Sequence, residues 1–128
     1  MPENTEVTPY SDEELMEFKE LLEEKHRVAL QDIQGLRTQL ADAREQSEND
    51  TAYSFHMADA GTDAMEREKV YLMLARQQKY LGYVERALDR IADKSYGICK
   101  VTGEAISKDR LMAVPHTRVS IAAKKLQK

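Results

Sequence analysis

The sequence has no tryptophan, a single cysteine, and aromatic residues at only 6%. One cysteine excludes an internal disulfide and fits a reducing compartment. Few aromatics beside 33% charged residues exclude a thick globular core and point to helices with much solvated surface. No apolar run is long enough to span a bilayer. The first 14 residues are acidic and lack the apolar stretch of a cleavable signal peptide. These absences describe a soluble cytoplasmic protein.

What is present is a seven-residue apolar repeat. Over residues 62–94, Val70, Leu74, Leu81, Val84, Leu88 and Ile91 fall on the a and d positions of a heptad, with Gln77 as the polar exception. Such a helix is about 45–50 Å long at about 1.5 Å per residue and needs a second helix along it. Residues 11–46 supply one, through Leu15, Phe18, Leu22, Ala29, Ile33, Leu36, Leu40 and Ala43. Lys25, His26 and Arg27 break its spacing, and Gly35 weakens it. Ser11 and Glu14 form a capping box, so this helix starts near Ser11. Turn residues over 48–62 predict the tip of a hairpin, with Thr62 or Asp63 capping the second helix.

The domains read as a disordered lead (1–10), an antiparallel coiled-coil hairpin (11–94, tip at about 48–62) and a small C-terminal knob (95–128). Within the knob, Gly97 stops the second helix, residues 98–106 form a short β-hairpin turning at Thr102-Gly103, and residues 118–127 form a terminal helix. The fold class is mainly α. Charge is uneven along the chain: residues 1–50 carry −9, residues 51–93 carry −1 and residues 94–128 carry +6. The basic end reads as a solvated, lysine-rich helix rather than a nucleic-acid site. His26, His56 and His116 have no serine or cysteine partner in a triad pattern, and the paired tip carboxylates have no surrounding pocket sequence. Neither supports an enzyme.

Three runs in the knob, Tyr96-Gly97-Ile98-Cys99, Thr102-Gly103-Glu104-Ala105-Ile106 and Arg110-Leu111-Met112-Ala113-Val114-Pro115, closely resemble the C-terminal zinc finger of the DksA/TraR family. That family places four cysteines as C-x2-C-x17-C-x2-C after a coiled-coil hairpin. The same spacing here falls on Cys99, Thr102, Ser120 and Ala123, so three of the four ligands are gone. Zinc needs four ligands, and neutral hydroxyls are poor ones, so no metal is expected. The knob must be held by packing of Ile98, Val101, Ile106, Leu111, Val114, Val119, Ile121, Ala122 and Leu126, with Cys99 an ordinary buried thiol.

The resemblance reaches back over about residues 12–128, to His56-Met57-Ala58-Asp59-Ala60-Gly61-Thr62-Asp63, which is similar to the family's acidic tip. It implies a bacterial transcription regulator that binds RNA polymerase without DNA, enters the secondary channel and alters open-complex stability. The tip role would fall to Asp59, Gly61 and Asp63. The family's joint site with polymerase for ppGpp would fall on Arg76, Tyr80, Tyr83 and Lys124, where Tyr83 stands in place of an expected lysine. A monomer is expected. Two other readings stay open on the residues alone: a structural or oligomerising coiled coil, and a Gre-like transcript-cleavage factor.

Overall fold

The computed structural model describes residues 7–49 and 57–126, with side chains for all of these except 43–49, 57–63 and 126. Four helices follow in order: α1 (Asp12–Asn49), α2 (Met57–Ala92), α3 (Lys108–Ala113) and α4 (Ile121–Leu126). The mainly helical class with two long antiparallel helices is the one expected.

The capping box forms as the residues dictate. The Ser11 hydroxyl accepts from the Glu14 amide at 3.1 Å, and the Ser11 amide donates to the Glu14 carboxylate at 3.0 Å. Asp12, Glu13 and Glu14 add negative charge to the first turn, where the helix dipole favours it. The start of α2 departs from expectation. It begins at Met57 rather than at a Thr62 or Asp63 cap, so Asp59, Gly61 and Asp63 lie within its first turns. Met57, Ala58 and Ala60 are strong helix formers, and their propensity outweighs the roughly 1 kcal/mol that Gly61 costs.

The chain divides into two compact units, Val28–Leu81 and the pair of segments Met1–Arg27 and Gly82–Lys128. In the first, Ala29 and Ile33 of α1 and Val70 of α2 are buried. Gln31, Asp32, Gly35 and Leu36 face a cleft with Met73 and Gln77, and Arg37, Leu40 and Ala41 share another with Arg67 and Tyr71. Numbers rise on one helix as they fall on the other, so the helices run antiparallel.

In the second unit, Leu15, Phe18 and Leu22 of α1 and Val84, Ala87 and Ile91 of α2 are buried together with Tyr96, Cys99, Ile106, Leu111 and Ala123. Phe18 is the hinge of this core, with its ring 5.2 Å from Tyr96 and 5.3 Å from Tyr10, the latter edge-on at 78°. Where the α1 spacing slips, His26 occupies the gap and its Nε2 lies 3.0 Å from the Glu85 carboxylate.

Residues 7–10 of the expected disordered lead are built into this unit. Thr8 N–H donates to the Lys94 carbonyl at 2.8 Å, and the Tyr10 hydroxyl donates to the Ile106 carbonyl. The signal for this order is tertiary, since nothing periodic precedes Ser11.

The end of α2 also differs from expectation. Lys94, at φ +64°, takes the left-handed position, with Lys94 N–H to Ile91 O at 3.2 Å and Ser95 N–H to Arg90 O at 2.9 Å. That pair of bonds is a Schellman cap. Gly97 is needed for another reason: at φ +89° a Cβ would lie 2.7 Å from the Tyr10 ring. The expected β-hairpin is reduced to a single antiparallel bridge, Ile98 with Ala105. Helix α3 was not foreseen; Ser107 caps it by accepting from the Arg110 amide. The knob core is also smaller than expected. Val101, Ile121 and Ala122 are exposed, and Tyr96, Pro115 and Ala123 take their places.

Candidate functional site

The four degenerate ligand positions come together. The bridge at Ile98 and Ala105 is closed by Cys99 N–H to Glu104 O and Gly103 N–H to Cys99 O, both 2.8 Å. Gly103 turns the chain at φ +76°. The Ser120 amide donates to Cys99 Sγ at 3.4 Å, while the Ser120 hydroxyl accepts from the Ala123 amide at 3.1 Å and so caps α4. Ala123 is fully buried.

Cys99 is not the ordinary thiol expected. Burial pushes its pKa up, but the Thr102 hydroxyl and the Ser120, Thr102 and Val101 amides outweigh that and hold it at about 6. Hydrogen bonds to the charged form favour it, so the sulfur is mainly thiolate at neutral pH. Sequence reasoning weighed these positions only as metal ligands; the donors to the sulfur are backbone amides and the Thr102 hydroxyl, which spacing does not reveal.

These residues do not fit zinc. One thiolate, two hydroxyls committed to internal hydrogen bonds and a methyl group are not a tetrahedral donor set. Among the described residues no group of three His, Cys, Asp or Glu side chains could hold a metal ion.

Beside this centre lies a cleft of about 460 Å³, bordered by Tyr83, Arg86 and Arg90 of α2 and by Lys100, Arg110, His116 and Arg118 of the knob. The Tyr83 and His116 rings stack at 5.9 Å and 5°, and the Arg86 guanidinium lies 5.3 Å from the Tyr83 ring centre. Arg90 reaches the His116 carbonyl, and Arg110 reaches the Val119 carbonyl and the Thr117 hydroxyl, at 3.3–3.4 Å. Burial lowers the His116 pKa, and Lys25, Arg90 and Arg110 lower it further.

Of the predicted effector residues, Arg76 and Tyr80 lie on α2 in the first unit, Arg76 exposed and Tyr80 half-buried. Burial raises the Tyr80 pKa. Tyr83 borders the cleft, and Lys124 is an exposed residue of α4 that does not line it. The side chains of Asp59, Gly61 and Asp63 lie outside the described residues. Sequence reasoning missed Arg86, Arg90, Arg110, Arg118 and His116 as a group. The available signal was the basic C-terminal segment, together with Arg86 and Arg90 one helical turn apart.

Comparison with known proteins places this geometry. Residues 94–126 match the prokaryotic dksA/traR C4-type zinc finger. The RNA polymerase-binding transcription factor DksA of Caulobacter vibrioides is 28% identical over 121 residues, 94% of this chain and 84% of that protein. The chain resembles the DksA/TraR family, in its C-terminal finger region and along most of its length. The structure of transcription factor DksA2 from Pseudomonas aeruginosa superposes with a TM-score of 0.76 at 28% identity, covering 89% of this chain and 82% of that one. General stress protein 16O of Bacillus subtilis is 38% identical over 68 residues, or 53% of this chain. The chain spans less than half the length of the two Bacillus subtilis relatives it matches, 42% and 27%. Against the C4-type finger that these residues match, this chain has a single cysteine.

Proposed function

We propose that this chain binds bacterial RNA polymerase and regulates transcription from the secondary channel as a cytoplasmic monomer. The observation that carries this reading is the match to a polymerase-binding factor along nearly the whole of both chains. The fold shared with transcription factor DksA2 supports it.

In this reading Asp59, Gly61 and Asp63 act near the polymerase active centre. Asp59 and Asp63 fall in the first turns of α2, where the helix dipole favours negative charge. In a channel of low effective dielectric, their charge would act on basic or metal-bound elements far more strongly than in water. The protein contributes charge and position and no chemistry of its own. By the same resemblance Arg76, Tyr80, Tyr83 and Lys124 are each candidates for contact with ppGpp at the polymerase, and Arg76 and Lys124 are exposed cations of the kind a phosphate needs.

The test is binding to cognate core polymerase by biolayer interferometry, with open-complex lifetime measured on a ribosomal promoter with and without ppGpp. Wild type should bind and change the lifetime. Asp59→Asn/Asp63→Asn should bind equally and leave the lifetime unchanged, and Arg76→Ala/Lys124→Ala should lose only the ppGpp increment. Absence of wild-type binding would sink the proposal and leave a family fold with another use.

A further inference from the structure

The cleft that Arg37, Leu40 and Ala41 of α1 share with Arg67 and Tyr71 of α2 lies within the first unit and has a volume of about 360 Å³. An arginine from each helix borders it, and no carboxylate is among its lining residues. The described carboxylates nearest in sequence are Asp32, Asp42, Glu66 and Glu68. Among the described residues, neither these nor the two arginines join an ion pair.

The apolar surface around the cleft is a second, independent feature. Among the described residues α2 exposes five large hydrophobic side chains, and four of them, Met65, Tyr71, Leu72 and Met73, lie within residues 65–73. Packing inside the hairpin leaves them out, and clustered apolar surface rimmed by polar residues marks an interaction site. Arginine and tyrosine are also the residue types that gather at the energetic centres of protein interfaces. A guanidinium fork takes a carboxylate two hydrogen bonds at a time, and an arginine from each helix offers one carboxylate a partner on either side. Residues 28–81 carry nine acids against six bases, so a polyanion such as nucleic acid is repelled by the unit as a whole. A single carboxylate on an otherwise apolar segment is not.

We propose that this cleft is a docking site for an acidic side chain of the partner protein, which seats its carboxylate between Arg37 and Arg67 beside the Tyr71 ring. The exposed apolar residues of α2 next to the cleft receive an apolar neighbour of that acid. About 360 Å³ is more than a carboxylate fills, so part of the segment that carries it enters as well. The inference rests on the polymerase reading above and deepens it: the partner's acidic segment belongs to the polymerase, and it grips the shaft of the hairpin. The cleft shares no residue with the tip or with the effector positions, so its contribution is separable from theirs.

The test is biolayer interferometry of the full chain on cognate core polymerase, at low and at physiological salt. Arg37→Gln/Arg67→Gln should bind at least about tenfold more weakly than wild type, since each lost charged hydrogen bond is worth about a decade. Its affinity should also depend less on salt, because the lost contact is ionic. Arg37→Lys/Arg67→Lys keeps the charge without the fork and should fall between the two. Lys19→Gln, an exposed cation of α1 outside the cleft, should bind like wild type. Thermal melting checks that each variant folds. Tyr71→benzoylphenylalanine, irradiated in an open complex, should cross-link to a polymerase peptide that contains Asp or Glu. A cross-link to DNA or RNA, or to a peptide without an acid, overturns the proposal, and so does equal weakening by Lys19→Gln. If wild type binds and Arg37→Gln/Arg67→Gln binds as tightly, this proposal alone falls. If wild type does not bind, the polymerase reading falls with it.

Discussion

Removing Tyr10 tests whether a segment preceding the first helix staples the knob. Its ring packs edge-on against Phe18 at 5.3 Å, a geometry worth about 0.5–1.5 kcal/mol beyond burial. Its hydroxyl donates to the Ile106 carbonyl, worth about another 0.5–1.5 kcal/mol. Burial, and Glu14 behind it, raise the Tyr10 pKa, so the hydroxyl remains a donor at neutral pH. Tyr10→Phe should therefore cost about 1 kcal/mol, and Tyr10→Ala about 2–4 kcal/mol once the lost contacts to Phe18 and Gly97 are included. Urea unfolding followed by near-UV circular dichroism of the tyrosines reads the loss. Amide exchange at Cys99 and Ile106, whose N–H groups bond Glu104 O and Gly97 O, locates it in the knob. If Tyr10→Ala and deletion of residues 1–10 both leave the midpoint and these amides unchanged, the segment is no staple.

Gly97→Ala should destabilise by more than about 2 kcal/mol, because its φ of +89° and the Tyr10 ring both oppose a Cβ. Adding Tyr10→Ala should recover only the steric part, which a double-mutant cycle measures. Gly35→Ala should stabilise by about 1 kcal/mol in urea unfolding, since the site is within α1 and a Cβ there meets nothing within 4 Å. Overnight treatment with a strong chelator should leave the thermal midpoint within a degree or so, and atomic emission should find well under stoichiometric zinc, as expected where one sulfur is the sole good ligand. Cys99 links stability to pH. Its folded pKa of about 6 lies below the ordinary 9.0, so its contribution is complete above pH 9 and fades as pH falls to 6. Between pH 8 and pH 6 wild type should lose more stability than Cys99→Ala does, read as the difference in urea midpoints.

The parts of the fold legible in the sequence are those set by local periodicity. The heptad residues Val70, Val84 and Ile91 are buried, as are Leu15, Phe18 and Leu22, because an apolar stripe on a long helix has one stable use. The Ser11 box was legible because both partners lie within one turn. Features set by distant contacts were not. Nothing local in Val7-Thr8-Pro9-Tyr10 announces a carbonyl 96 residues away at Ile106. Lys94 does not look like a left-handed residue; its φ follows from the Schellman bonds and its ion pair with Asp12 at 3.0 Å. At the candidate site, spacing identified Cys99, Thr102, Ser120 and Ala123 as neighbours, whereas the arginine cleft needed α2 and the knob to be brought side by side.

The fate of the finger shows why those four positions cannot be read one at a time. A thiolate with no metal is a buried charge, and removing its donors would leave it uncompensated. Here Thr102 and Ser120 supply hydrogen-bond donors to the sulfur, the Ser120 hydroxyl turns instead to cap α4, and Ala123 fills space at the core. Each replacement answers a need created by the others. The knob is held by Tyr96, which donates to the Pro115 carbonyl at 2.7 Å, by Phe18 and Tyr10, and by the Arg110 latch on Val119 and Thr117. A cross-link gathered at one ion can be lost by oxidation or chelation at that ion. The same constraint spread over several contacts has no single point of chemical failure, and this difference separates the present chain from a four-cysteine finger.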